Sequence, residues 1–171
     1  MKKYKKLFIF ASVLLVIAIV IFLWLPPSQE RIEKCFFRDK AELTMVCDYL
    51  LSLDCEARIE YDGIDCYLEK YEPVLSSDKL NVVKVKIENE PLSDAIKYLL
   101  SKREYYKIFK SDNIITFVKW RRGRDWSGGV AYKIDKSGEL EVPYVTKSSP
   151  LSNDGWYYYE SNYNQWRENN E

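Results

Sequence analysis

The sequence predicts an α+β domain carried on an N-terminal membrane anchor, and three observations predict it. Leu7 to Leu25, LFIFASVLLVIAIVIFLWL, run without a single charge, long enough at about 1.5 Å per residue to cross a hydrocarbon core. A stretch follows in which apolar residues step by three and four, the period of a helix face. Several short runs then alternate apolar and polar residues between turn signals, without the regular strand-helix-strand rhythm of a parallel sheet. The expected architecture is an N-terminal transmembrane helix followed by a small domain with a mostly antiparallel sheet and two helices.

The anchor reads as uncleaved. Its apolar run exceeds the roughly 7–15 residues of a signal-peptide core. Trp24-Leu25-Pro26-Pro27 stands where a peptidase needs small residues, and Ile32-Glu33-Lys34 precedes Cys35 in place of a lipoprotein site. Lys2, Lys3, Lys5 and Lys6 place residues 1–6 inside as a cytoplasmic basic tail, although Arg31, Lys34, Arg38 and Lys40 partly offset that bias on the other flank. Residues 7–25 are then the anchor, 26–38 a juxtamembrane stalk or helix start, 39–166 an extracytoplasmic domain and 167–171 a polar tail. Of the 26 Lys and Arg, removing the four leading lysines leaves 22 against 26 Asp and Glu, a net of −4 outside the membrane. That balance gives no support to a nucleic-acid partner.

Ile32, Phe36, Leu43, Val46, Leu50 and Leu53 keep the helical spacing, with Asp39 where another apolar residue would fall. The helix either continues from the membrane or restarts at Asp39, with Glu42 completing a capping box. Such a stripe suits a homodimer through the membrane-proximal helix; packing on the domain's own sheet is favoured because the repeat covers barely three heptads. Ala57, Ile59 and Tyr61 alternate as a strand that ends at Gly63, and Leu80 to Ile87 form a second. Pro91 opens a helix over Leu92 to Leu100. Two hairpins follow: Tyr105 to Phe109 with Ile114 to Trp120, and Val130 to Ile134 with Leu140 to Val145 around Asp135-Lys136-Ser137-Gly138. Trp156 to Tyr159 is the final strand.

Cys35, Cys47, Cys55 and Cys66 allow two disulfides in an oxidising compartment. A straight helix from Asp39 to Leu53 spans about 21 Å, too far for Cys35 to reach Cys55 across a bond that needs Cα atoms near 5.5 Å. Cys47–Cys55 with Cys35–Cys66 fits best, with free buried thiols as the alternative. The spacings lack the close pairs of a structural zinc site.

The chain contains no histidine, which removes His-dependent triads and zinc-protease motifs. Asp62 and Asp65 form the tightest carboxylate pair outside helices, but Tyr-Asp-Gly-Ile-Asp reads first as an acidic turn. No catalytic residue, metal site or cofactor is indicated. Two stretches could carry binding. Trp120, Arg121, Arg122, Arg124 and Trp126 interleave cations with indoles, a composition able to stack on sugars or grip phosphates. Asp154-Gly155-Trp156-Tyr157-Tyr158-Tyr159-Glu160, with Trp166 beyond, is the most aromatic part of the chain; Trp156, Tyr157, Tyr159 and Trp166 are its candidates. About ten residues here resemble one unit of the choline-binding repeats of bacterial surface proteins, which carry a Gly-Trp and a nearby Trp-Tyr-Tyr. That family binds through tandem copies, so the ligand is not carried over, and a terminal edge strand with alternate rings buried is favoured.

The expected function is a single-pass interaction module of the cell membrane, N-terminus cytoplasmic and domain extracytoplasmic, at a bacterial surface. Its anchor partner is the lipid bilayer through residues 7–25. Its ligand is a protein, with a cell-surface glycan held by exposed Trp and Tyr as the alternative and a carboxylate enzyme third.

Overall fold

The computed structural model describes residues 12–17, 25–73, 80–135, 140 and 142–170. Among the described residues eight strands form one antiparallel sheet: β1 (Glu56–Tyr61), β2 (Cys66–Pro73), β3 (Leu80–Lys86), β4 (Lys107–Ser111), β5 (Ile114–Arg122), β6 (Trp126–Lys133), β7 (Val145–Pro150) and β8 (Trp156–Asn162). Their spatial order is β3-β2-β1-β4-β5-β6-β8-β7. With helices added, this is an α+β fold. The helices are α1 (residues 12–17), α2 (Gln29–Leu51), α3 (Glu90–Lys97) and α4 (Tyr163–Asn170), with a π-helical turn over Tyr98–Lys102 continuing α3. Two helices were expected in the domain; α4 is a further one, in a segment whose polar composition hides it.

Of the expected anchor, residues 12–17 are helical and Val13 to Ile17 exposed, while 7–11 and 18–24 lie outside the described residues, as does the basic tail 1–6. Among the described residues no helix is long and apolar enough to cross a membrane.

α2 begins ten residues before the expected capping box. Ser28 caps it, accepting a hydrogen bond from the Arg31 amide, and Glu30 in the first turn complements the helix dipole. Asp39 is therefore in mid-helix and caps nothing. The stripe Ile32, Phe36, Asp39, Leu43, Val46, Cys47 and Leu50 is buried against the sheet and α3. Its apolar surface is thus covered within the chain, the favoured of the two readings. α3 starts where Asn89 caps the Leu92 amide and Pro91 occupies the first turn.

The β4–β5 hairpin forms as expected, its last pair being Ser111 with Ile114, but two expectations fail. β2, which was not foreseen, pairs with β1 through the turn at Gly63; its alternation of Tyr67, Glu69 and Tyr71 against Leu68 and Lys70 is too polar to stand out. The second expected hairpin does not form: β6 pairs with β5 and β8, and β7 pairs with β8. Of its turn, 136–139 and 141 lie outside the described residues. β8 is also no edge strand, since β7 lies beyond it.

All four cysteines are free thiols, so neither Cys47–Cys55 nor Cys35–Cys66 forms. Cys35 and Cys47 are held on one helix, about 18 Å apart by its rise. Cys47 is turned into the core, and Cys66 lies on β2, its Sγ 3.6 Å from the Ser93 carbonyl of α3.

Candidate functional site

The expected binding residues separate into two groups. On β8, period two sends Trp156 and Tyr158 to the helix-bearing face, where Trp156 sits among Phe36, Phe117 and Tyr132 with ring centroids 5.4, 5.7 and 5.1 Å away. Tyr159 points to the other face and is also buried, under Leu140 and Val142, with Tyr157 packed alongside. Both faces of this strand are therefore occupied by packing, where one open aromatic face was expected. Trp166 of α4 stacks edge-on to Tyr144 at 5.3 Å. Trp120 is buried and meets half-buried Trp126 at 5.5 Å. The rings are distributed through the molecule and form no common exposed platform.

The second group does gather. β5 and β6 extend further than expected, so that Arg121, Arg122 and Trp126 join Trp120 as strand residues and only 123–125 make the turn, with Gly123 at φ +61°. A β-bulge between Val118 and Trp120 leaves Lys119 without a partner and re-aims the strand. Gly128 and Gly129 make room for it. A Cβ on Gly129 would lie 2.1 Å from the Phe117 carbonyl oxygen, and one on Gly128 2.7 Å from the Trp120 ring. The bulge turns Lys119 and Trp120 into an open cleft of about 760 Å³ between this strand end and the start of α2. Leu25, Arg31, Cys35, Glu104, Arg121 and Arg122 also line it. An Arg122 guanidinium N–H donates to the Leu25 carbonyl at 2.7 Å, fixing the last residue of the apolar run to the hairpin. Arg121 donates to the Gly123 carbonyl and the Tyr106 hydroxyl.

Beneath the cleft lies a polar cluster that spacing alone could not assign. Asp39 is fully buried, its carboxylate accepting from Arg38 at 2.7 and 3.0 Å and pairing with Arg103 at 3.2 Å. Arg103 in turn donates to the Tyr98 hydroxyl. Lys119 donates to the Arg103 carbonyl and stands 4.5 Å over the Tyr105 ring; burial lowers its ammonium pKa. Burial likewise pushes the Tyr105 phenol up, and among the described residues its hydroxyl has no hydrogen-bond partner. The signal in the sequence was the Asp39 gap in the apolar stripe. The two arginines compensate the buried charge, so the cluster fastens α2 to the segment after α3.

Asp62 and Asp65 do not converge on a substrate. The Asp62 carboxylate accepts from the Ile64 and Asp65 amides at 2.9 Å each, bonds that hold it below the usual carboxylate range, and Asp65 pairs with Lys86. Among the described residues no three potential ligands group to hold a metal.

One further surface was not read from the sequence. On the sheet face opposite α2 and α3, register aligns Val82 with Tyr71 and Glu56; Lys84 with Glu69, Arg58 and Phe109; and Lys86 with Tyr67 and Glu60. Lys84 stands 4.6 Å over the Tyr67 ring and bonds Glu60, which keeps the Glu60 carboxyl low; Lys107 stands 4.9 Å over Phe109. Tyr67, Tyr71 and Phe109 are half-buried and Val82 is 51% exposed. No family model, curated protein or solved structure matches the chain.

Proposed function

We propose that this chain is a membrane-anchored interaction module, held by residues 7–25 with its N-terminus cytoplasmic, whose extracytoplasmic domain binds a protein partner on the face built by β3, β2, β1 and β4. The observation that carries the reading is that face. Three aromatic rings, an exposed valine and Arg58 lie among charges of both signs, the mixture that protein interfaces favour. Aromatic and arginine anchors fixed on strands lose little entropy on docking. The uncharged run Leu7 to Leu25 supports the anchor, and the leading lysines support its orientation.

The glycan alternative draws less support, because Trp120, Trp156 and Tyr159 are buried. An enzyme draws less still, since the acidic pair holds a turn. The test is a photo-crosslinking amino acid at Tyr71 in intact cells. A discrete protein adduct that vanishes on Arg58→Glu or Lys84→Glu is the expected result. Retention on purified cell wall without an adduct overturns the protein reading in favour of a glycan. Digestion of the domain by protease added to spheroplasts tests orientation; a protected tag after Glu171 would reverse it.

A further inference from the structure

The cleft beside Leu25 combines two properties that belong together at a membrane surface. Its floor is joined to the end of the apolar run, because Arg122 bonds the Leu25 carbonyl. Its rim is basic: Arg31, Lys119, Arg121, Arg122 and Arg124 stand around it and the adjoining turn, against the carboxylates of Glu104, Asp125 and Glu168. Lys119 is directed inward to the Arg103 carbonyl. Arg31, Arg121 and Arg124 are exposed, and none of them has a carboxylate partner among the described residues. Beside them Tyr106 is 60% exposed, its ring 5.6 Å from the Arg121 guanidinium, and Trp126 is half-buried. Guanidinium groups bind phosphate oxygens in pairs, and amphipathic rings favour the headgroup layer. The domain as a whole carries the opposite charge, so this concentration of arginine is local.

We infer that the tip of the β5–β6 hairpin, with Arg31 of α2, is a binding site for anionic phospholipid headgroups that seats the domain against the leaflet from which its anchor emerges. The inference rests on the anchored reading of residues 7–25. It adds that the domain is not a free head on a tether: Arg31, Arg121 and Arg124 hold the basic side down. Each basic residue close to an anionic leaflet gains roughly fivefold in affinity, an attraction that salt screens.

Full-length protein is reconstituted in vesicles of phosphatidylcholine, or of phosphatidylcholine mixed with phosphatidylglycerol, and backbone hydrogen exchange is followed across residues 121–126. Exchange there is expected to slow about fivefold or more in the anionic vesicles. High salt, or the combined Arg31→Gln, Arg121→Gln and Arg124→Gln variant, should abolish the difference while exchange in the core strands stays as in the parent. Equal exchange in both vesicles, with the chain still resisting carbonate extraction, overturns the headgroup site and leaves the anchor standing. Release by carbonate overturns the anchor itself. Equal slowing by inorganic phosphate added to phosphatidylcholine vesicles would make the ligand a soluble phosphate and defeat the lipid assignment.

Discussion

The two halves of the sheet are built from similar alternating sequences, yet they are buried differently. Around β5, β6 and β8 both faces are covered: α2 packs on one side over Phe117, Val130, Trp156 and Tyr158, and Leu140 with Val142 close the other over Ile114, Ala131 and Tyr159. Across β2, β1 and β4 only one face is covered. Ala57, Ile59, Leu68 and Ile108 lie under the helices, and the opposite face keeps its aromatic rings half in water. A strand buried on both faces has its side chains committed to stability. A strand buried on one face can lend the other to a partner.

Five substitutions or titrations would break or sharpen that contrast, read by denaturant unfolding. Trp156→Ala should have the largest effect, about 4 kcal/mol, because the indole touches three rings and leaves a cavity its neighbours cannot fill. A loss below about 1 kcal/mol would mean that the doubly covered half is not the stable one. Gly129→Ala comes next, at about 3 kcal/mol, since its Cβ would meet backbone atoms of β5, which yield less easily than a side chain. If it is tolerated, the bulge beside Lys119 can relax.

Leu140→Ala should cost about 2 kcal/mol by unroofing Tyr159. The pH dependence of stability is smaller per step. Burial pushes the Cys47 thiol up to about 12 from 9.0. A raised folded-state pKa means that stability is complete below pH 9 and falls by at most about 1.4 kcal/mol per pH unit as pH rises toward 12. Cys47→Ala should lower the baseline and remove its share of that slope; an unchanged slope would show that the thiolate is no worse placed in the fold than in the unfolded chain. On the open face, Phe109→Ser should change stability by less than about 0.5 kcal/mol, and its place in the contrast is lost if it unfolds the domain.

Much of this was legible in local pattern. The three-and-four spacing from Ile32 to Leu50 located α2, period two located β1 and β3, the turn residues after Lys110 located the β4–β5 hairpin, and Pro91 marked the start of α3. Period two also assigned the opposite faces of Trp156 and Tyr157. Of the cation-rich stretch, Trp120, Arg121 and Arg122 line the cleft beside α2, while Arg124 and Trp126 lie outside it. What failed depended on contacts between distant segments. Asp39 looked like a cap because a carboxylate in an apolar stripe has no local explanation; Arg103, far along the chain, supplies part of it. β7 was misplaced because pairing with β8 is decided by the whole sheet and not by the nearest turn. The free thiols follow from the same kind of contact: Cys47 is packed in the core and Cys66 faces the Ser93 carbonyl of α3.

The sequence by itself determined the apolar run, the α+β class and the period of most elements, because these follow from side-chain spacing along a helix or strand. The tertiary structure alone decided which faces are covered, which aromatic rings become core, and that Arg122 meets the carbonyl of Leu25. Burial and pairing across long separations depend on which surfaces remain to be covered once the other elements are in place. A local window of residues does not contain that information.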